Sequence, residues 1–309
     1  MAVAIRDFQD ADAESAAELL NVLEPEFATT ARSLLHRQRA EPKRARRRSW
    51  VAVGDDEVVG WTTAAFNWVG GDIDTGRLRL GVREDHRRRG IGSALLRLSE
   101  EHVLKHGARQ LQVRAYRQSG AAAFAAARGY TRIAESEVVS ALDPHAADLT
   151  ELDELEAEQG ERGRRLALLE EFRNRPGELF EFYERTDAFP AGSPVTYDEW
   201  RGVIFEHPEL SYDGSFVVTE GERLVALSLL VVDRERALAE NDWTATLPEL
   251  RGQGLARLAK LATIRWAVEN EITEIRTEND VANAPMLAVN RRLGYREVGI
   301  RDDLERVAV

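Results

Sequence analysis

Two stretches of the chain place arginine, glycine and an apolar run in the same order. They are RRRGIGSALL (87–96) and RGQGLARLAK (251–260). Glycine lets a backbone approach a ligand closely, the free N–H groups at a helix start attract anions, and arginine matches phosphate oxygens. Both stretches therefore predict a phosphate-binding loop that leads into a helix. The predicted contributors are Arg87, Arg88, Arg89, Gly90, Ile91, Gly92 and Ser93 in the first loop, and Arg251, Gly252, Gln253, Gly254, Leu255 and Ala256 in the second.

The loops alone are weak evidence, because a motif of this form occurs by chance roughly once in such a chain. Their surroundings carry more weight. Strand-like stretches precede them at 77–82 and 242–247, and amphipathic helices follow at about 95–106 and 255–270. Landmarks also recur at offsets of 164 to 166 positions: Ser49 with Ser215, Arg87 with Arg251, and Tyr130 with Tyr295. The chain therefore contains an internal duplication.

Each half has the same predicted order of elements: strand, helices, hairpin strands, strand, glycine loop, helix, strand, helix, strand. This order predicts the α/β class, as an α+β mixed central sheet flanked by helices in each half. The acidic stretch after Asp143 places the boundary between domains 1–143 and 144–309. The second half is predicted to be helical over 149–186. The turn-rich segment 187–200 then either lines a binding site or serves as a plain connector.

Composition narrows the class of protein. A length of 309 residues suits two domains, and the absence of cysteine excludes disulfides, thiolate metal sites and cysteine nucleophiles. Acidic residues come too early for a signal peptide, and no apolar run approaches the roughly 20 residues of a membrane span. We therefore expect a soluble cytoplasmic protein with no membrane partner and no metal site. A homo-oligomer is left open.

Charge is unevenly divided along the chain. Residues 1–143 hold 22 Lys and Arg against 20 Asp and Glu, a net +2, whereas residues 144–309 hold 20 against 34, a net −14. The acidic half argues against a nucleic-acid partner and favours a cationic one. The basic run 43–48 could bind nucleic acid. It is short and lacks interleaved aromatic residues, so a solvated helix end or loop is favoured.

The duplicated layout and its motif resemble the GNAT superfamily of acyl-CoA N-acyltransferases, in a tandem two-domain form. The motif Arg/Gln-x-x-Gly-x-Gly/Ala is matched by Arg87, Gly90 and Gly92, and again by Arg251, Gly254 and Ala256. The resemblance implies that these loops bind the pyrophosphate of acetyl-CoA. It also implies transfer of the acetyl group, by direct attack, to a primary amine of a small molecule, with CoA as product. The acidic second half makes a cationic acceptor the favoured one.

The resemblance also implies roles for single residues. A backbone N–H near Gly81–Val82 and Thr246–Leu247 would polarise the thioester, which adds Val82 and Leu247 to the cofactor site. Asn283 matches the family's pantetheine-contacting Asn, although Asn279, Asp280 and Asn283 would equally suit a helix start. Thr277, Asn279 and Asn290 could likewise contact the pantetheine or position the acceptor.

Both halves depart from the family at the proton donor, which is often a tyrosine seven residues after that Asn. The position holds Asn290 in the second half, and counting back from Tyr130 gives Gln118 and Ala125 in the first. A water or another tyrosine, such as Tyr116, would have to protonate the departing CoA thiolate.

A general base is also required, because only a deprotonated amine can attack. Glu240 and Asp242 are the candidates in the second half, and strand alternation predicts Asp242 and Thr244 on one face. Asp72 and Asp74 are weaker candidates in the first half. Carboxylates beside a strand are often merely solvated. The competing hypothesis is that one or both domains lack catalysis and serve as an acyl-CoA-binding or structural module.

Overall fold

The computed structural model describes residues 3–25, 27–70, 74–186, 188–189 and 192–308, apart from the side chain of Glu135. Asp72, a candidate base, lies outside the described residues, as do three residues of the turn-rich segment. The chain forms two compact units. The first consists of Met1–Ser136, Gly192–Val203 and Ile300–Val309, and the second of Glu137–Ala191 and Ile204–Gly299. The proposed boundary at 143 concerns the sequence repeat, whereas each compact unit takes residues from both halves.

The helices and strands alternate as the duplication predicts. In chain order they are β1 (Ala4–Asp7), α1 (Ala13–Leu23), α2 (Ala31–Ala40), β2 (Arg48–Gly54), β3 (Glu57–Phe66), β4 (Thr75–Val82), α3 (Ile91–Lys105), β5 (Gln110–Tyr116), α4 (Gly120–Ala126), β6 (Thr131–Leu142), α5 (Leu152–Glu161), β7 (Arg164–Leu168), α6 (Pro176–Arg185), α7 (Tyr197–Trp200), β8 (Phe216–Glu220), β9 (Arg223–Asp233), β10 (Leu238–Thr246), α8 (Leu255–Glu269), β11 (Glu274–Asp280), α9 (Ala284–Arg292) and β12 (Arg296–Val307).

The first unit is a mixed sheet in the order β1-β2-β3-β4-β5-β12. Strands β4 and β5 run parallel and the other neighbours run antiparallel. One face packs against α3 through Leu95, Leu96 and Val103. The other packs against α1 and α2, with Trp61 of β3 in that core. Because both faces are covered, β3 is buried along its whole length after Glu57 and does not alternate between buried and exposed residues.

The second unit repeats this plan in the order β6-β11-β10-β9-β8-β7. Only β10 and β11 run parallel. Helix α8 packs on β8, β9 and β10, and α6 contacts Trp243 of β10 through Phe182 and Tyr183. The predicted fold class, a mixed sheet flanked by helices in each repeat, is therefore confirmed.

The sheets exchange their last strands. Residues 301–307 of β12, from the end of the second repeat, pair with β5 in the first unit. Residues 137–142 of β6, from the end of the first repeat, pair with β11 in the second unit. Each parallel pair of strands is therefore completed by a strand from the other half of the sequence.

The helical prediction for 149–186 is wrong in its middle. Helices α5 and α6 lie at its ends, but residues 164–168 form β7, an edge strand that pairs with β8. Five residues, RRLAL, are too few to show a period clearly, so the ladder with β8 decides their conformation. Among the described residues, no helix is both long and apolar enough to cross a bilayer.

Candidate active site

The two glycine loops share one backbone conformation. Each connects a strand, β4 or β10, to a helix, α3 or α8. In the first loop φ is 63° at Arg88 and 83° at Gly90. In the second it is 76° at Gly252 and 83° at Gly254. Glycine adopts this left-handed region without strain, so among these four positions only Arg88 places a side chain there at a cost.

The first arginine of each loop contacts the strand that it follows. Arg87 Nε donates to the Val82 carbonyl at 3.0 Å, and Arg251 Nε donates to the Thr246 carbonyl at 3.4 Å. These bonds fix the loop to the strand end. Within the described part of the chain, no side chain caps the start of α3 or of α8. Their first N–H groups therefore point out of the helix with no intrahelical acceptor.

Helix α5 supports the second loop. Gln159, 1% exposed, donates from Nε2 to the Gln253 carbonyl at 3.0 Å. Its Oε1 accepts from Arg164 at 2.9 Å, and Arg164 is also bonded to Glu220. Since arginine only donates, this contact fixes the amide orientation of Gln159. In a trans peptide the N–H is opposite the carbonyl, so Gln159 holds the N–H of Gly254 on the other side of the loop.

Beside each loop the two parallel strands separate. In the first unit the last paired residues are Leu78 of β4 and Val113 of β5. In the second unit they are Glu240 of β10 and Arg276 of β11. Beyond these points the two parallel strands continue without pairing with each other. This leaves a gap between them that leads to the glycine loop. The predicted backbone donors near Val82 and Leu247 lie beyond the last pair, on the loop side of the gap.

A β-bulge interrupts β10 at Asp242. The register with β9 shifts between Asn241 and Trp243, so β10 does not alternate simply here, and a common face for Asp242 and Thr244 stays a prediction. Thr244 shares its face with Asn241, whose Oδ1 accepts from Thr244 Oγ1 at 3.0 Å. The extra residue at the bulge turns the side chains of the residues that follow it to the opposite face of the sheet. Asp242 is exposed at the bulge and Glu240, the last paired residue, is half-buried.

A buried polar cluster lies beneath the gap in the second unit. Asn241, 3% exposed, donates to Ser228 Oγ and to the Leu229 carbonyl, each at 2.9 Å. Its Oδ1 also accepts from Lys260 of α8, and its backbone carbonyl accepts from Thr277 Oγ1 at 3.1 Å. Burial lowers the pKa of Lys260 to about 7. Its amine therefore loses its proton near neutral pH.

Asn290 Oδ1 and the Tyr295 hydroxyl are among the buried polar atoms of the second unit that have no hydrogen-bond partner among the described residues. Asn290 is 1% exposed, and its Nδ2 donates to Asn279 Oδ1 at 2.6 Å. Burial raises the pKa of Tyr295, so its hydroxyl stays protonated. Lys260 Nζ lies 4.8 Å from the centre of the Tyr295 ring. Asn290, at the proton-donor position, is thus near a polar cluster that the sequence did not predict.

Asn283, the residue predicted to contact pantetheine, makes a hydrogen bond at the start of α9. Its side chain accepts from the Met286 N–H at 3.2 Å and caps α9, and the side chain itself is exposed. Asp280 accepts from the Ala282 N–H at 2.7 Å. Both contacts are those of a helix start. Cofactor contact by Asn283 stays a prediction.

The first unit has a cavity of about 280 Å³ on the α2 face of β3 and β4. It extends to Leu78 and Arg79, where β4 parts from β5. Its other lining residues are Leu34, Arg37, Gln38, Glu41, Arg47, Trp61, Thr63, Ala65, Phe66, Asn67, Trp68, Val69 and Arg77. The cavity therefore reaches the position where the pairing of β4 with β5 ends.

The structure thus contains, twice, a glycine loop with free N–H groups next to two parallel strands that separate. This arrangement is that of an acyl-CoA-dependent N-acyltransferase. The acetyltransferase (GNAT) family model matches residues 14–130 and 168–295, which is most of both repeats. The chain belongs to the GNAT family, as a tandem member with two GNAT domains.

Solved structures with the same fold include a tandem protein. A tandem GNAT protein from the clavulanic acid biosynthesis pathway, solved without acetyl-CoA, is 21% identical with a TM-score of 0.74, covering 100% of this chain and 99% of that one. A GCN5-related N-acetyltransferase from Sphaerobacter thermophilus is 16% identical, with a TM-score of 0.64 and coverage of 99% and 95%.

A third similar structure is the glucosamine N-acetyltransferase region of a fungal multi-domain β-N-acetylglucosaminidase. It is 16% identical with a TM-score of 0.68, covering 98% of this chain and 38% of that one. No curated protein matches the sequence. At these identities the likeness to solved structures concerns the fold.

Proposed function

We propose that the protein transfers the acetyl group of acetyl-CoA to the primary amine of a small molecule and releases CoA. The observation that carries the proposal is the recurrence, in both units, of an uncapped helix start after a glycine loop beside separated parallel strands. Free N–H groups at a helix start suit a pyrophosphate. In the adjoining gap, backbone groups of the separated strands are available to hydrogen-bond the arm that carries the thioester. Membership of the GNAT family supports the same reaction class.

The reaction proposed is direct attack. The amine nitrogen, once deprotonated, bonds to the thioester carbonyl carbon while negative charge collects on the carbonyl oxygen. A backbone N–H near Val82 or Leu247 would stabilise that charge. The C–S bond then breaks, the acetyl group stays on nitrogen as an amide, and the CoA thiolate takes up a proton.

The second unit has two carboxylates beside the gap that could accept the amine's proton. Asp242 is exposed at the bulge beyond the last strand pair, and Glu240 is the last paired residue, so either carboxylate could take the amine's proton. Asn290 can donate a hydrogen bond but not a proton. We therefore assign protonation of the thiolate to a water and leave Asn290 a positioning role beside Asn279.

A cationic acceptor is proposed for the second unit. Glu240, Asp242 and Glu278 lie on the strands that border the gap, and the sequence half that supplies them has a net charge of −14. Carboxylates there would attract an ammonium group. A cytoplasmic location, a homo-oligomer and the absence of a nucleic-acid partner stay predictions from the sequence.

The test is a calorimetric titration with acetyl-CoA of wild type, Gly92→Glu and Ala256→Glu. The two positions are equivalent, in the first turns of α3 and α8. A glutamate in a first turn is compatible with the helix dipole, but its charge would oppose phosphate. We expect two sites in the wild type. Each variant should lose one of them by about 100-fold, or about 2.7 kcal/mol.

The matched control is Gly92→Ala, which gives the first loop the residue that the second loop already has. A Cβ at Gly92 would meet Phe124 and Val82 at 3.6 Å, an ordinary contact, so both sites should persist. A single site that only one glutamate variant removes would identify the other unit as silent. If wild type binds no acetyl-CoA, the proposed function is wrong.

Gln159 gives a second test, confined to the second loop. Gln159→Leu removes the bond to the Gln253 carbonyl and should weaken acetyl-CoA binding there about 5- to 10-fold, because one peptide loses its fixed orientation. The measurement is the dissociation constant in the Gly92→Glu background, where only the second site remains.

The variant Gln159→Glu distinguishes a loss of loop orientation from a loss of folding. Its carboxylate can keep the contact with Arg164 but has no N–H to donate to the Gln253 carbonyl. Affinity should fall at least as far as with leucine, while the melting temperature stays near that of wild type. Unchanged affinity in both variants would show that the loop needs no support from α5.

A further inference from the structure

Three core positions that are apolar in the first unit are polar in the second. The glycine loops align the two repeats at an offset of 164 positions, from Arg87 to Arg251. With that offset, or one position less before the bulge of β10, the equivalent residues are Leu78 and Asn241, Leu96 and Lys260, and Val113 and Thr277. The apolar residues of these pairs belong to one core cluster of the first unit. Because the first unit has the same plan, the fold itself does not require polar residues at these positions.

In the second unit the hydrogen bonds of this cluster converge on Asn241. Its side chain is bonded to β9 through Ser228 at 2.9 Å and to α8 through Lys260. Its backbone carbonyl is bonded to β11 through Thr277 Oγ1 at 3.1 Å. Thr244, beyond the bulge, also donates to Asn241 Oδ1 at 3.0 Å. The residue directly before the bulge is therefore fixed from both neighbouring strands and from the helix that packs on them.

The parallel strands of the second unit separate one position earlier than those of the first. The pairing of β4 with β5 includes Leu78 and Val113. The equivalent Asn241 and Thr277 come directly after the last pair of β10 with β11, and a side-chain hydrogen bond joins them there. The ladder of β9 with β10 also contains the bulge, whereas β3 and β4 pair without a register shift over their described residues. The polar cluster therefore lies where the two gaps differ.

Lys260 is an unfavourable residue for the core that contains it. Its side chain is 1% exposed, and burial lowers the pKa of its amine with no carboxylate of the described residues opposing that shift. A buried amine of this kind costs stability that leucine, the equivalent residue of the first unit, would not cost. Residues that oppose stability are expected where a functional site needs them. The contacts of the amine are Asn241 and the face of the Tyr295 ring, so its contribution is to hold Asn241.

We propose that Lys260, Asn241 and Thr277 are positioning residues of the second unit. They fix the bulge of β10 and the point where β10 separates from β11, and so set the gap that receives the arm of acetyl-CoA. The inference rests on the proposed function, which assigns that gap to the thioester arm. Asn241 orients the backbone at the bulge, while Lys260 and Thr277 hold Asn241 from the helix and from β11. The first unit sets its gap by the pairing of Leu78 with Val113 instead.

The test separates the arm of the cofactor from its nucleotide. In the Gly92→Glu background, where only the second site remains, calorimetry compares acetyl-CoA with 3′-phosphoadenosine 5′-diphosphate, which keeps the pyrophosphate and lacks the arm. We expect the arm to strengthen binding by about 10-fold or more, since hydrogen bonds in the gap favour it. Asn241→Leu combined with Lys260→Leu recreates the apolar pair of the first unit. This double variant should reduce the advantage of the arm to about 3-fold or less and leave the affinity for the nucleotide unchanged.

Single variants of Lys260 distinguish a hydrogen bond to Asn241 from simple filling of the core. Lys260→Met keeps the length of the side chain and loses the donor, whereas Lys260→Gln keeps an N–H donor on a side chain one bond shorter. Methionine should reduce the advantage of the arm about 3-fold or more, and glutamine should restore most of it. Leu258→Met, at a fully buried position of the same helix, is the matched control and should change neither affinity. A glutamine variant no better than methionine would overturn the role of Lys260.

Hydrogen exchange gives a readout that needs no ligand. In the double variant the amides of 241–246 should exchange faster, although the melting temperature does not fall, because the cluster fixes the bulge while the buried amine destabilises the core. An unchanged advantage of the arm, equal weakening of both ligands, or unchanged exchange at the bulge would each overturn the positioning role. A Gly92→Glu protein that binds no acetyl-CoA would instead overturn the proposed function of the second unit, and the exchange rates would still decide whether the cluster fixes the bulge.

Discussion

Truncation after Gly299 is expected to unfold the first unit and to leave the second unit folded. In sequence order the removed residues belong to the second repeat, so a division of the chain at residue 143 would predict the reverse. The strand exchange is the reason. Residues 301–307 of β12 form the ladder with β5 in the first unit, and their loss exposes the edge of β5.

The lost interactions are buried and charged. Leu304 is 6% exposed in the core beneath α3. Asp303 pairs with Arg114 at 2.7 Å and Asp302 with Arg117 at 2.6 Å, and both carboxylates are nearly buried. The hydrogen bond from Arg117 lowers the pKa of Asp302, so this pair is ionised at neutral pH. A whole strand together with two ion pairs exceeds the roughly 5 kcal/mol margin of many domains.

Hydrogen exchange resolved by peptide separates the two units. We expect 110–116 in β5 to lose protection in the truncated chain, while 238–246 in β10 keeps it. Leu304→Asp is a point variant with the same direction of effect, and Val307→Asp, at a side chain 68% exposed on the same strand, is its control. Loss of protection in β10 with β5 intact would mean that β12 stabilises the second unit instead.

Local features of the fold were predictable from the sequence because each rests on neighbouring residues. The glycine loops, the helix that follows each of them and the mixed sheets come from short motifs and hydrophobic periodicity. Helix α8 begins at Leu255 and ends at Glu269, against a predicted 255–270. Helix α3 begins at Ile91, four residues before its prediction, because the glycine at 92 weakened the helical signal there.

Features that depend on pairing were not predictable. The last strands of the two repeats are both compatible with either sheet, so no pattern within them selects a partner. The bulge at Asp242 leaves no local signal, and it changes which side chains share a face of β10. Gln159 supports the second loop from 94 positions away, and a lone glutamine on an acidic helix gives no hint of that contact.

The distribution of charge was also predictable only in part. Net charge correctly separates an acidic half from a nearly neutral one, and the carboxylates of β10 and β11 agree with it. Four arginines line the cavity of the first unit, and the sum over a half does not show that they lie together. Lys260 could have been noticed as a lysine between apolar neighbours, Ala259 and Leu261, in the helix LARLAKLATIRWA. Its environment, however, depends on Asn241 and Tyr295, which lie on two other parts of the chain.

Replacing Lys260 by methionine is expected to stabilise the second unit strongly at pH 7 and hardly at all near pH 10.5. Lys260 is 1% exposed, and no described carboxylate forms an ion pair with it. Burial lowers its pKa from 10.5 to about 7 in the folded protein. An unfolded lysine keeps a pKa near 10.4. Protonation of the unfolded chain therefore competes with folding.

The sign of the pH dependence follows from the protons bound. Between pH 7 and pH 10.5 the unfolded chain holds a proton that the folded chain lacks, so wild-type stability rises with pH across this window. Below pH 7 both states are protonated and the full penalty persists, at about 5 kcal/mol for a shift of this size. Methionine removes the penalty but also one hydrogen bond to Asn241, which costs about 1 kcal/mol. At pH 7, where half of the folded amines are already deprotonated, the penalty is about 4 kcal/mol, so the net gain is about 3 kcal/mol.

Urea unfolding of wild type and Lys260→Met at pH 7 and at pH 10 measures this difference, with Lys105→Met as the control because Lys105 is exposed at the end of α3. The control should change stability by no more than about 0.5 kcal/mol at either pH. A gain for Lys260→Met that is equal at both pH values would show that the penalty does not come from titration of the amine. A loss of stability at pH 7 would mean that the amine stays charged when buried and that Asn241, with the ring of Tyr295, holds the cation in place.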